Sequence, residues 1–119
     1  MDPIKIKEGF QEALLLSGQN MTIEDVERSL SSGQSMLWVG ENSALITELT
    51  QDEFGWALHI WLGTGDLGDL VSLEPGLSAW ARAHGCYYLS LDGRKGWERV
   101  LKPIGFHFVN GELRKYYEV

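Results

Sequence analysis

A single cysteine, Cys86, cannot form an internal disulfide, and no Cys/His spacing resembles a zinc site, so the sequence points to a reduced, cytoplasmic chain without a structural metal. Basic residues are few: ten Lys and Arg stand against seventeen Asp and Glu, a formal charge of −7. That balance repels nucleic-acid phosphates and anionic lipid, so the expected partners include neither nucleic acid nor membrane. No apolar run approaches bilayer length, and Met1-Asp2-Pro3-Ile4-Lys5 carries neither the apolar stretch nor the cleavage site of a signal peptide. Repeats, linkers and low-complexity segments are missing too. What is present is a chain of 119 residues, 44% hydrophobic and 11% aromatic, enough to close one core and too little for two. Residues 1–119 are therefore read as one soluble domain.

The periodicity changes along the chain. N-terminal helices span 4–31. Ile4, Ile6, Phe10, Ala13, Leu14 and Leu16 fall at helical spacing before Gly18, and Thr22 with Asp25 forms a near capping box ahead of Ile23, Val26, Leu30 and Gly33. A three-strand antiparallel meander follows over 35–62: Met36–Val39, Ala44–Thr50 and Trp56–Leu62, joined by the turns Gly40-Glu41-Asn42 and Gln51 to Gly55. In the third strand alternation places Trp56, Leu58, Ile60 and Leu62 on one face and Ala57, His59 and Trp61 on the other. A glycine-rich loop opens the 63–85 segment, Gly63-Thr64-Gly65-Asp66-Leu67-Gly68-Asp69, and leads into a helical pattern that Pro75 should break and Gly85 ends. A buried strand over 86–91, a short helix over 94–103 and a hairpin over 106–119 complete the order. Asn110-Gly111 is the strongest local signal, because a type I′ turn needs positive φ at both central residues. The connection from Trp56–Leu62 to Cys86–Leu91 is long enough for a crossover, which makes those strands parallel and sets the glycine loop at the carboxyl end of the first. The fold class is α/β, a mixed central sheet flanked by helices.

Several residues invite two interpretations. Trp38, Trp56, Trp61, Trp80 and Trp97 either fill the core or line a partner groove. Trp97 lies between Arg94 and Arg99, and with Lys95 and Lys102 nearby this segment is basic and aromatic in an otherwise acidic chain. It is either a surface for an acidic protein or a phosphate, or a solvated helix face. Cys86 reads as a core residue.

The element order, with a glycine loop after the third meander strand and Gly105-Phe106 opening the final hairpin, resembles the GNAT superfamily of acyl-CoA-dependent N-acyltransferases from Thr22 to the end. The segments Leu77 to Cys86 and Arg99 to Phe106 carry the likeness, as the helix after the cofactor loop and the helix running into Gly-Phe. More narrowly, Trp80 to Cys86 together with Gly93 to Leu101 is similar to small, divergent GNAT-like proteins of tailed phages and prophages. The resemblance implies a GNAT-like fold in which the main chain of Leu62, Gly63, Thr64 and Gly65, with Gly68, holds acetyl-CoA or coenzyme A through backbone amides at a helix N-terminus. It also implies a gap between Trp56–Leu62 and Cys86–Leu91 that admits the pantetheine arm, and an amine acceptor. His59 or Glu48 is then the candidate base and Tyr116 or Tyr117 the candidate acid.

The chain departs from the family pattern at several points. Ile60 stands where the loop motif has Arg or Gln, and Asp66 and Asp69 put two carboxylates beside the loop, where the plainer role of either is to cap the next helix. Leu101 occupies the position of the family's tyrosine acid, while Arg94 and Trp97 replace an Asn and a small residue. Met1 to Gly18 reads as helix alone, which leaves the family's first strand without a counterpart. Likewise His59 is otherwise a partly buried sheet residue, Glu48 a solvated one, and the tyrosines half-buried strand residues. Two functions follow: an N-acetyltransferase, or a non-catalytic phage-encoded relative acting through protein contacts in virion structure or assembly.

Overall fold

A computed structural model describes residues 1–18, 20–93 and 97–117. Helices α1 (Pro3–Ser17) and α2 (Ile23–Ser32) precede strands β1 (Ser35–Val39), β2 (Ser43–Asp52) and β3 (Gly55–Gly65). Then come α3 (Leu67–Ser72), α4 (Glu74–Ala83), β4 (Cys86–Asp92), α5 (Trp97–Leu101), a 3-10 turn (Lys102–Ile104), β5 (His107–Val109) and β6 (Glu112–Tyr116). Hydrogen bonding orders the strands β1-β2-β3-β4-β6-β5 in one mixed sheet. The chain forms two compact units, Met1–Glu48 with Trp61–Leu73 and Leu49–Ile60 with Glu74–Val119.

In the first unit, local chemistry sets the helix ends. Asp2 caps α1 by accepting from the Lys5 amide, Pro3 occupies a position that needs no N–H, and Gly18 closes the helix at φ 68°. Thr22 and Asp25 complete the expected capping box: the Asp25 carboxylate accepts from the Thr22 amide at 2.9 Å, and the Thr22 hydroxyl accepts from the Asp25 amide at 3.3 Å. Phe10 and Leu14 of α1 and Ile23 and Val26 of α2 pack with Ala44, Ile46 and Leu62 into a core. β1 and β2 are antiparallel, with Ser35 opposite Glu48 and Val39 opposite Ala44.

In the second unit β3 and β4 run parallel, as the crossover requires. Trp56 pairs with Cys86, and the register then shifts so that Ala57 pairs with Tyr88 and the ladder continues to Ile60 opposite Leu91. β6 pairs antiparallel with both β4 and β5. The β5–β6 hairpin turns on Asn110 at φ 51° and Gly111 at φ 84°, the two positive values a type I′ turn demands.

The end of β3 differs from the sequence expectation. β3 runs through Gly65, so Gly63, Thr64 and Gly65 are strand and not loop. Strand geometry persists there because neighbouring chain lies very close: a Cβ on Gly65 would overlap the Asn42 carbonyl oxygen and stand 2.7 Å from the Ser43 Cα. The break expected at Pro75 is present: α3 ends at Ser72 and α4 begins at Glu74 with the proline at its second position. Of the helix expected over 94–103, Trp97–Leu101 is α5 and Lys102–Ile104 a 3-10 turn, while Arg94 and the two residues after it lie outside the described residues. Alternation also fails in β3. Ala57 and Leu58 are both buried while Trp56 is 45% exposed, as expected where a strand changes register and is covered on both faces.

Candidate functional site

The junction from β3 to α3 is where the resemblance places a cofactor, and it is held by carboxylates. Asp66 is the N-cap of α3, its side chain accepting from the Asp69 amide at 2.9 Å. Its own amide donates to the Asn42 carbonyl at 2.9 Å, and its carbonyl accepts from the Leu70 amide. Asp69 reaches to the β1–β2 turn, where its carboxylate accepts from the Asn42 amide at 3.0 Å and from the hydroxyl of the fully buried Ser43. The Ser43 hydroxyl and the Asn42 amide hold the Asp69 carboxyl below the ordinary aspartate range. On the other side α1 closes in: a Cβ on Gly9 would overlap the Thr64 side chain.

Of the residues expected to hold a pyrophosphate, Leu62 is core and Gly63, Thr64 and Gly65 are strand, with Gly68 in the first turn of a six-residue helix. The Asp66 and Asp69 amides already have partners within the chain, and two carboxylates occupy the space around them. A like charge at ~4 Å costs about 4 kcal/mol at an effective dielectric of ~20. These residues do not fit a pyrophosphate at this junction.

The candidate proton-transfer groups are divided between the two units. His59 and Tyr116 belong to the second, Glu48 to the first. His59 is half-buried on β3, and its Nδ1 is 2.8 Å from the Oγ of Ser90, its neighbour across the parallel ladder, which is 1% exposed. Tyr116 is exposed and opposite Tyr88, and its hydroxyl accepts from Arg114 Nη1 at 3.0 Å. Tyr117 donates to Ser78 at 2.9 Å, and burial pushes its phenol upward. Glu48 is half-buried on β2 and lines a cavity together with Trp61. Leu101, at the position of the family's tyrosine acid, is 5% exposed and offers no proton. Trp97 is half-buried and Arg99 exposed, so the tryptophan is less open than its basic flanks suggested. Cys86 is buried, and desolvation raises its thiol above the ordinary range.

Sequence reasoning missed Ser90 as the partner of His59, and it missed a cluster around Asp52. The hydroxyls of Tyr87 and Tyr88 both donate to the Asp52 carboxylate, and Arg114 lies 4.5 Å from the centre of the Tyr88 ring. The Tyr87 hydroxyl is the main cause holding Asp52 below the usual range. Among the described residues no group of three or more His, Cys, Asp or Glu side chains is arranged to hold a metal, and no helix is long and apolar enough to cross a membrane.

Solved structures settle the architecture. A GNAT family acetyltransferase from Brucella melitensis in complex with acetyl-CoA superposes with a TM-score of 0.65 at 11% identity, over 100% of this chain and 86% of that one. This is the GNAT acetyltransferase fold. The NatB acetyltransferase complex bound to CoA and MES gives a TM-score of 0.65 at 12% identity over 98% and 97% of the two chains. A GNAT family acetyltransferase from Listeria monocytogenes 4b F2365 gives 0.60 at 14% identity over 96% and 86%. No family model and no curated protein matches the chain. At such identities the likeness is one of fold, and a GNAT scaffold hosts more than one function.

Proposed function

We propose that this chain is a GNAT-fold protein with a degenerate acyl-CoA site that acts through contacts with another protein. The observation that carries the reading is the β3–α3 junction, where Asp66 caps α3 through the Asp69 amide and Asp69 holds the Asn42 amide, so that two carboxylates stand where a cofactor phosphate would sit. A buried Leu101 in place of an acidic tyrosine points the same way. The resemblance to small phage- and prophage-encoded proteins supports a role in virion structure or assembly, and the exposed Arg99 beside Trp97 offers a basic contact for an acidic partner.

The test is calorimetry and thermal melting with millimolar acetyl-CoA. The expected result is no binding heat and no change in Tm. A ligand present at a hundred times its Kd stabilises by about 2.7 kcal/mol, so saturable heat with a matching rise in Tm overturns the reading.

A second reading is acyl transfer to an amine with His59 as base. The fixed His59–Ser90 pair supports it, because a held imidazole presents its remaining nitrogen in one direction. It requires amine-dependent turnover that His59→Ala abolishes in a protein that stays folded.

A further inference from the structure

The cavity beside α2 belongs to neither reading. Its volume is about 570 Å³, and it lies within the first unit. Asp25, Arg28, Ser29 and Ser32 line one side at the i, i+3, i+4 and i+7 spacing of a single helix face, opposite the face that buries Ile23 and Val26. Glu48 and the half-buried indole of Trp61 line the other.

The charges in this wall are unequal. Arg28 and Asp25 are joined in an ion pair, and Asp25 also completes the α2 cap, so these two cancel. Glu48 is left over: no hydrogen bond or ion pair engages it among the described residues. A half-buried carboxylate without a partner, beside an indole, attracts a cation that can lie flat on a ring. A guanidinium meets that description better than an ammonium. It is planar, stacks on aromatic faces, binds carboxylate through two parallel N–H donors and is weakly hydrated, so entering a half-open cavity costs it less. Ser32 and the Gln34 amide also line the cavity and supply oxygen acceptors for its other donors. The overall charge of −7 favours the approach of any cation.

We propose that this cavity is a guanidinium site, with Glu48 as its anionic anchor and Trp61 as its stacking surface. The ligand is the side chain of an arginine in a polypeptide or a small guanidinium compound. The site does not depend on the function proposed above, since it uses neither the β3–α3 junction nor His59.

The experiment follows backbone and indole N–H resonances by NMR during titration with three probes: Nα-acetyl-arginine amide, its lysine counterpart, and the peptide Gly-Ser-Arg-Ser-Gly. The expected result is a saturable shift of the Trp61 indole and of the Ser29 and Ser32 amides with the arginine probes, and binding at least about tenfold weaker in Glu48→Gln. Glu48→Gln keeps the size of the side chain, and its spectrum reports directly that it is folded. Tighter binding of the peptide than of the amide assigns the ligand to a polypeptide; equal binding assigns it to a small guanidinium compound. The proposal is overturned if Glu48→Gln binds as well as the parent chain, if the lysine probe binds as tightly as arginine, or if no saturable shift reaches these residues.

Discussion

Two groups of carboxylates in the first unit have the same chemistry and opposite circumstances. Asp66 and Asp69 each commit an oxygen to their own chain, Asp66 to an amide and Asp69 to an amide and a hydroxyl, pinning the start of α3 to the β1–β2 turn. Glu48, on β2, lines a cavity and has no hydrogen-bond or ion-pair partner among the described residues. The difference separates structure from availability. A carboxylate held by its own chain stabilises the fold and repels anions, whereas one not so held in a recess is a place for something else to bind. In a protein whose fold suggests an anionic cofactor, the closed group sits where that cofactor was expected, and the open group suits a ligand of the opposite sign.

Three variants sharpen or break this contrast. The largest effect is expected from Gly65→Ala, which adds a Cβ at φ 106° into the main chain of Asn42 and Ser43; it should cost ~3 kcal/mol in urea unfolding, and a loss below ~1 kcal/mol means the junction is not closely packed. Acid gives an intermediate effect. The Asp69 carboxyl titrates below its ordinary value of 3.8 in the folded chain, so its contribution is complete above that value and is lost as pH falls through the lower, folded-state value. Asp25 and Asp52 are lowered in the same sense, and Asp69→Asn should therefore flatten part of the decline of Tm at low pH while lowering Tm at neutral pH by a few degrees. An unchanged acid profile in that variant would falsify the role given to Asp69. The smallest effect belongs to Glu48→Gln, which removes no bond among the described residues and should leave unfolding free energy within about 0.5 kcal/mol of the parent. A larger loss means Glu48 has a partner within the chain, and the contrast disappears.

How much of this was legible depended on distance along the chain. The capping box of Thr22 and Asp25, the Asn110-Gly111 turn and the break at Pro75 are written in residues at most a few positions apart, and all three are found as read. The parallel arrangement of β3 and β4 followed from connection length alone. The side-chain partnerships did not. Asp69 was recognisable as a possible cap, but its partners Asn42 and Ser43 are 27 and 26 residues away and meet it only after β2 and β3 pair. His59 was singled out, yet Ser90 could not be named beside it without knowing where the register shifts. Glu48 was expected in solvent because an alternating strand shows its polar residues outward; the α2 face that walls it in belongs to a different period.

The register shift between β3 and β4 has a consequence of its own. Tyr87 is a supernumerary residue: β4 takes two steps, Cys86 to Tyr88, while β3 takes one, Trp56 to Ala57. Successive residues of a regular strand point to opposite sides, yet the phenols of Tyr87 and Tyr88 both converge on Asp52. That convergence is a property of chain length rather than of side-chain choice. A one-residue deletion at Tyr87 would undo it more thoroughly than any exchange of the tyrosines for phenylalanine, because it would return the ribbon to strict alternation and turn one whole edge of the cluster away.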